Sequence, residues 1–93
     1  MSETLEGLYA LICSRKTDAP AGSYTASLFT RGEDEIVKKV GEEAVEVIVA
    51  AKGQGHERIV SESADLIYHL FVLLAQKEVP WSDVEAELKR RMK

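Results

Sequence analysis

The chain has 93 residues and a mass of 10.3 kDa, room for one core, and a single domain is expected over residues 1–93. Twelve Lys and Arg against sixteen Asp and Glu leave a net charge of −4, which argues against a surface that coats nucleic acid. At 45% hydrophobic the chain is too apolar to be disordered, and no apolar run approaches the ~20 residues that span a bilayer, so no membrane partner is expected.

Cys13 is the only cysteine and has no partner within the chain. With no signal-peptide pattern at the start, that predicts a reducing, cytoplasmic setting. Proline occurs only at Pro20 and Pro80, and Gly22, Gly32, Gly53 and Gly55 divide the rest into helix-length pieces.

The first piece, Thr4–Lys16, places Leu5, Leu8, Tyr9, Leu11 and Ile12 on one helical stripe, with Cys13 read as core rather than nucleophile. Asp18–Gly22 reads as a loop. Ser23 is positioned to N-cap a short helix through Tyr24, Leu28 and Phe29, and Gly32 to stop it. The acids Glu33, Asp34 and Glu35 then suit the positive end of a third helix running to about Lys52. After the Gly53–Gly55 break a fourth helix is expected from about Glu57 to Val79. A last one covers Ser82–Arg91, with Ser82 and Glu85 at capping-box spacing, or with Pro80 as its first residue. Nothing alternates as a strand does, so the fold class is all-α, a four- to five-helix bundle.

The two long helices carry the chemistry. On the third, Ile36, Val37, Val40, Ala44, Val47, Ile48 and Ala51 share an arc of ~120°, with Glu43 at its edge, Lys39 and Glu46 one step further round and Glu42 further still toward solvent. Val45 and Val49 lie away from that arc. The fourth is apolar over most of its circumference, and Arg58, Glu62, Asp65, His69 and Gln76 gather in a stripe ~60° wide. Surplus apolar surface on both helices predicts a second copy as partner, so the bundle is expected to be completed by homodimerisation.

Glu43/Glu46 and Glu62/Asp65 are each spaced i, i+3, which puts both carboxylates of a pair on one face. A short Gly-rich connection favours antiparallel packing, which lets the pairs meet. Four facing carboxylates repel unless a cation lies among them, and a hard oxygen-binding ion such as Mg²⁺ suits them. The plain alternative is a solvated acidic helix face. A phosphate loop, a Glu-x-x-His motif and a His-Glu-x-x-His motif are all absent from the sequence.

Glu42-Glu43-x-x-Glu46, fifteen intervening residues and then Glu62-x-x-Asp65 resemble the metal motif of the all-α, MazG-like nucleotide pyrophosphohydrolases. Ser23-Tyr24-Thr25-x-x-Leu28-Phe29-x-x-Gly32, Lys39-Val40-Gly41-Glu42-Glu43-Ala44 and Ala64-Asp65-Leu66-x-Tyr68-His69-Leu70 resemble one branch in particular, the phosphoribosyl-ATP pyrophosphohydrolases of histidine biosynthesis. The resemblance implies Mg²⁺-dependent hydrolysis of phosphoribosyl-ATP to phosphoribosyl-AMP and pyrophosphate by a cytoplasmic homodimer. Carried over by position, it implies Glu43, Glu46, Glu62 and Asp65 as metal ligands, with Glu42 or Glu43 in the catalytic role. It further implies that Lys39, Ser23, Tyr24 and Thr25 lie near the substrate; His69, one turn after Asp65, is a candidate substrate group beside them. Two rival readings are a housecleaning pyrophosphohydrolase of non-canonical or deoxy nucleotides, and a non-catalytic helical dimerisation module.

Overall fold

A computed structural model describes residues 3–92, and all their regular structure is helical: α1 (Glu3–Thr17), α2 (Tyr24–Arg31), α3 (Glu33–Ala51), α4 (His56–Gln76) and α5 (Trp81–Arg91). Ser23 caps α2 as its spacing predicts, its Oγ accepting from the Ala26 amide at 3.1 Å. Gly32 both closes α2 and opens α3 at φ 99°, a left-handed conformation that glycine adopts without strain. The two helices are thereby joined at a one-residue corner. α3 and α4 then pack along one another more extensively than any other pair of helices, joined by the tight Lys52–Gly55 turn.

α4 ends at Gln76, three residues earlier than the apolar pattern suggests. The Val79 amide donates to the Leu74 carbonyl at 2.9 Å and the Glu78 amide to the Ala75 carbonyl at 3.1 Å, the pairing of a Schellman stop. Glu78 takes the left-handed position at φ 58°, where sequence rules look for glycine, so the stop carries no sequence signal. α5 begins at Trp81 with Pro80 as its extended N-cap, so Ser82 lies inside the helix and the Ser82/Glu85 capping box does not form.

The core consists of Ile12, Leu28, Ile36, Phe71, Val72 and Ala75, with Cys13, Phe29, Tyr68, Leu74 and Trp81 packed against it. α3 faces this core differently from the arc drawn on its sequence. Ile36 and Ala50 are its buried residues, while Ile48 is 61% exposed and Val37 and Ala51 also face outward. The buried meridian is therefore turned by roughly 60°, which brings Glu43 from the edge of the inward face to near its centre. Val37, Val45, Ile48 and Val49 form an exposed apolar strip on the other side. By length and composition alone α4 is long and apolar enough to cross a membrane, and in this structure it contributes Phe71, Val72 and Ala75 to the core.

α1 anchors the end of α4. Tyr9 Oη donates to the Val79 carbonyl at 2.5 Å, just past the helix, and Lys16 Nζ adds a second donor to the Ala75 carbonyl at 3.0 Å. Burial foremost, then the Cys13 thiol and the Asp83 carboxylate, push the Tyr9 phenol up to about 12. The folded chain thus keeps this proton where the unfolded chain, titrating near ~10, has lost it. Stability from Tyr9 is complete below pH ~10 and lost as pH rises through the folded value. Tyr9→Phe is expected to lower stability by ~1 kcal/mol at neutral pH and to flatten that alkaline loss. Urea unfolding of both proteins across the alkaline range checks it; equal slopes would remove Tyr9 from the account.

Candidate active site

The inward turn of α3 sets its acids against the polar stripe of α4. Glu43 from α3 and Glu62 and Asp65 from α4 each place a carboxylate oxygen within 4.8 Å of the others. Glu62 is buried at 6% exposure, Glu43 is half-buried and Asp65 is exposed, so the cluster runs from the helix seam to the surface. A buried carboxylate needs a compensating charge or it destabilises the fold by several kcal/mol. Arg58 Nη2 supplies it for Glu62 at 2.6 Å, from one turn earlier on the same helix. Lys39 does the same for Glu43 at 3.4 Å and also reaches Glu42 at 3.6 Å.

Two cations against three clustered carboxylates and the adjoining Glu42 leave the site negative. Burial works to lower the Lys39 pKa, but Tyr24 and the Glu43 and Glu42 carboxylates together carry it above the usual lysine value. Lys39 is therefore a fixed positive charge at the rim of the cluster. The donor set fits a hard divalent ion: all three groups are carboxylate oxygens, and ligands ~2.1 Å from an octahedral ion lie ~3–4 Å from one another. Oxygens already within 4.8 Å need only a small inward rotation to reach that spacing.

The structure gathers three of the four expected ligands. Glu46 is exposed and outside the trio, ~60° further round α3 than Glu43. Glu42 is also exposed and joins the group only through Lys39. Ser23 is engaged as the cap of α2.

Tyr24, Thr25 and His69 form a second group beside the carboxylates. His69 Nδ1 lies 2.7 Å from the Asp65 carbonyl, which only accepts, so Nδ1 carries the hydrogen. In the neutral ring Nε2 then accepts from Tyr24 Oη at 3.0 Å. Tyr68 stacks on Tyr24 with ring centroids 6.2 Å apart, and its hydroxyl bonds to Thr25 Oγ1. Burial raises the Tyr68 pKa, with Tyr24 adding to it and the Thr25 hydrogen bond opposing, so this hydroxyl stays protonated. Sequence reasoning quoted Tyr68 only as part of the Ala64–Leu70 motif and gave it no role, and it gave Arg58 none beyond membership of the polar stripe. The i, i+4 spacing of Arg58 and Glu62 was the available signal.

The sequence profile of the family described as Phosphoribosyl-ATP pyrophosphohydrolase matches residues 5–92 of the chain. A relative from Metallosphaera sedula named Phosphoribosyl-ATP pyrophosphatase is 54% identical over 93 residues, covering 100% of both chains. Others with that name come from Sulfurisphaera tokodaii, 54% identical over 99% of this chain and 98% of its own, and from Methanocella arvoryzae, 45% identical over 100% of both.

Three convergent carboxylates predict a cation-dependent gain in stability. Millimolar Mn²⁺ or Mg²⁺ is expected to raise the melting temperature progressively with concentration, following RT ln(1 + [L]/Kd). Glu62→Gln or Asp65→Asn is expected to abolish the gain. Thermal scans across a metal titration check this, and an unchanged gain in both variants would dissociate the cluster from cation binding.

Proposed function

The chain belongs to the phosphoribosyl-ATP pyrophosphohydrolase family, and from that membership we infer that it hydrolyses phosphoribosyl-ATP to phosphoribosyl-AMP and pyrophosphate, a step of histidine biosynthesis. The observation that carries the inference is a family match over nearly the whole chain that coincides with carboxylates converging from α3 and α4.

In this reading residues 1–93 are one catalytic domain working in the cytoplasm, and Glu43, Glu62 and Asp65 hold Mg²⁺, with Glu46 joining from the next turn of α3. Such an ion supplies charge neutralisation for phosphate oxygens and activation of the attacking water. Water attacks a phosphorus of the triphosphate chain, the anhydride bond breaks, and pyrophosphate departs. The protein's own groups do the rest. Lys39 is charged and at the cluster rim, placed to hold a phosphate oxygen. Glu42, exposed beside Lys39, is placed to accept the proton of the water, with Glu43 as the other candidate. Tyr24 and Thr25, fixed by His69 and Tyr68, orient the nucleotide end of the substrate. Ser23 acts there indirectly, by fixing the start of α2.

We place a second copy of the chain on the exposed strip of Val37, Val45, Ile48 and Val49 on α3; α4 exposes Val60 and Ile67 as well. So many large apolar side chains on two adjacent helices exceed what an isolated domain leaves in water. Sedimentation at micromolar concentration is expected to give about twice 10.3 kDa; a mass of one chain would reject the dimer.

The activity is tested by pyrophosphate release from phosphoribosyl-ATP, with and without Mg²⁺, with ATP and dUTP as controls. Fast, Mg²⁺-dependent release from phosphoribosyl-ATP alone is expected, and Asp65→Asn is expected to lower kcat on the order of 100-fold or more with the fold intact. Glu46→Gln in the same assay decides whether that exposed acid completes the metal site. Release from dUTP instead would mark a housecleaning enzyme, and no release from any substrate a helical module.

A further inference from the structure

We propose that Arg58 is the resident counter-ion of the carboxylate cluster: a positioning residue that competes with the divalent cation for Glu62 and so sets the cation concentration at which the site fills. The inference rests on the reading of Glu43, Glu62 and Asp65 as metal ligands.

The Arg58–Glu62 pair is unequal. Nη2 lies 2.6 Å from Glu62 Oε2, a charge-assisted hydrogen bond at the short end of its range. The Glu62 side chain is 8% exposed, whereas that of Arg58 is 52% exposed. If the pair opens, the guanidinium is rehydrated at little cost, while the carboxylate stays in the helix seam and needs another cation. The pair is therefore held by the requirement of Glu62 and is released when that requirement is met from elsewhere.

A divalent ion meets it. The Glu62 carboxylate has finite negative charge to share between a guanidinium and an ion, and two cations crowded on it repel. Filling the site thus weakens the hold of Glu62 on Arg58, and the energy of that loss is subtracted from the binding of the ion. Lys39 is differently placed. It is shared between Glu42 and Glu43 at 3.6 and 3.4 Å, so a shift toward Glu42 clears Glu43 without loss of an ion pair. Among the described residues Arg58 has Glu62 as its ion-pair partner, with no second acid to receive it. The arrangement keeps the fold stable without metal and makes the site less avid than three bare carboxylates would be.

The test is a Mn²⁺ titration of the full chain by electron paramagnetic resonance, without substrate, beside thermal unfolding without metal. Arg58→Gln is expected to bind Mn²⁺ about fivefold tighter than the parent, the equivalent of an ion pair worth ~1 kcal/mol. Its metal-free melting temperature is expected to fall by a few degrees, because Glu62 is left buried without a charge partner. Arg58→Lys, which keeps the charge but loses the planar fork, is expected to fall between the two. A merely structural Arg58 lowers the melting temperature without tightening Mn²⁺, so equal or weaker affinity in Arg58→Gln overturns the proposal. Should that variant not fold, Arg58→Lys decides, and affinity no tighter than the parent has the same force. Glu62→Gln separates the two levels of inference. Binding that is lost in Glu62→Gln but unchanged in Arg58→Gln rejects the role of Arg58 alone. A parent that binds no Mn²⁺, or binds it as Glu62→Gln does, rejects the metal site and this proposal with it.

Discussion

A carboxylate cannot be left alone in the seam between two packed helices, and Glu62 lies in that seam. The α3–α4 pairing, the largest helix contact in the fold, is possible only because its acids bring their own neutralising charges. Each compensating cation stands one turn before its acid on the same helix: Arg58 before Glu62, Lys39 before Glu43. The direction is telling. For the stability of an isolated helix, an acid N-terminal to its base is the better order, and both pairs have the reverse. They are poor helix staples and good local counter-ions, and that points to neutralisation of the seam as their physical role.

The aromatic group beside the acids depends on the same seam. Asp65 lends its carboxylate to the cluster and its backbone carbonyl to His69, so one residue connects the two groups. His69 then holds Tyr24 on α2, whose start is set by the Ser23 cap and whose end is set by Gly32. Short-range rules thus fix α2, while the Tyr24–His69 and Thr25–Tyr68 bonds, the Tyr24–Tyr68 stack and the buried Leu28 fix how it meets α4.

Much of this was legible in the sequence, and the failures have physical causes. Caps and glycines located α2 and α3 because those signals act within a few residues, and the apolar stripe located α1. The end of α4 was misplaced because Glu78 occupies a left-handed position usually given to glycine, held there by Schellman hydrogen bonds and by Tyr9 and Lys16 from a distant helix. The buried face of α3 was misdrawn because periodicity counts every apolar residue as inward. Val37 and Ile48 widened the arc on one side and drew its centre away from Glu43. Spacing alone pointed to Glu43, Glu62 and Asp65, which converge, and also to Glu46, which stays exposed outside the trio because an i, i+3 partner is still ~60° further round the helix. Which oxygens converge depends on side-chain torsions that no spacing encodes, whereas the Arg58–Glu62 pair had its i, i+4 spacing as a signal.

The misdrawn face of α3 bears on catalysis. The apolar strip around Ile48 and the inward acid Glu43 lie ~140° apart on one helix, so the forces that fix one side also fix the other. With side chains reaching ~5–6 Å from the axis, a roll of ~20° would carry the Glu43 carboxylate ~2 Å from its partners on α4. Displacements of ~1 Å at reacting groups already cost about two orders of magnitude in rate. In an isolated chain α3 is gripped on its inner side only, with four of its seven large aliphatic residues in water. A second copy packed on the outer strip would close a vice on the helix and hold Glu43 to its position with no contact to the carboxylates at all. Such a partner would act on the reaction through the roll of one helix.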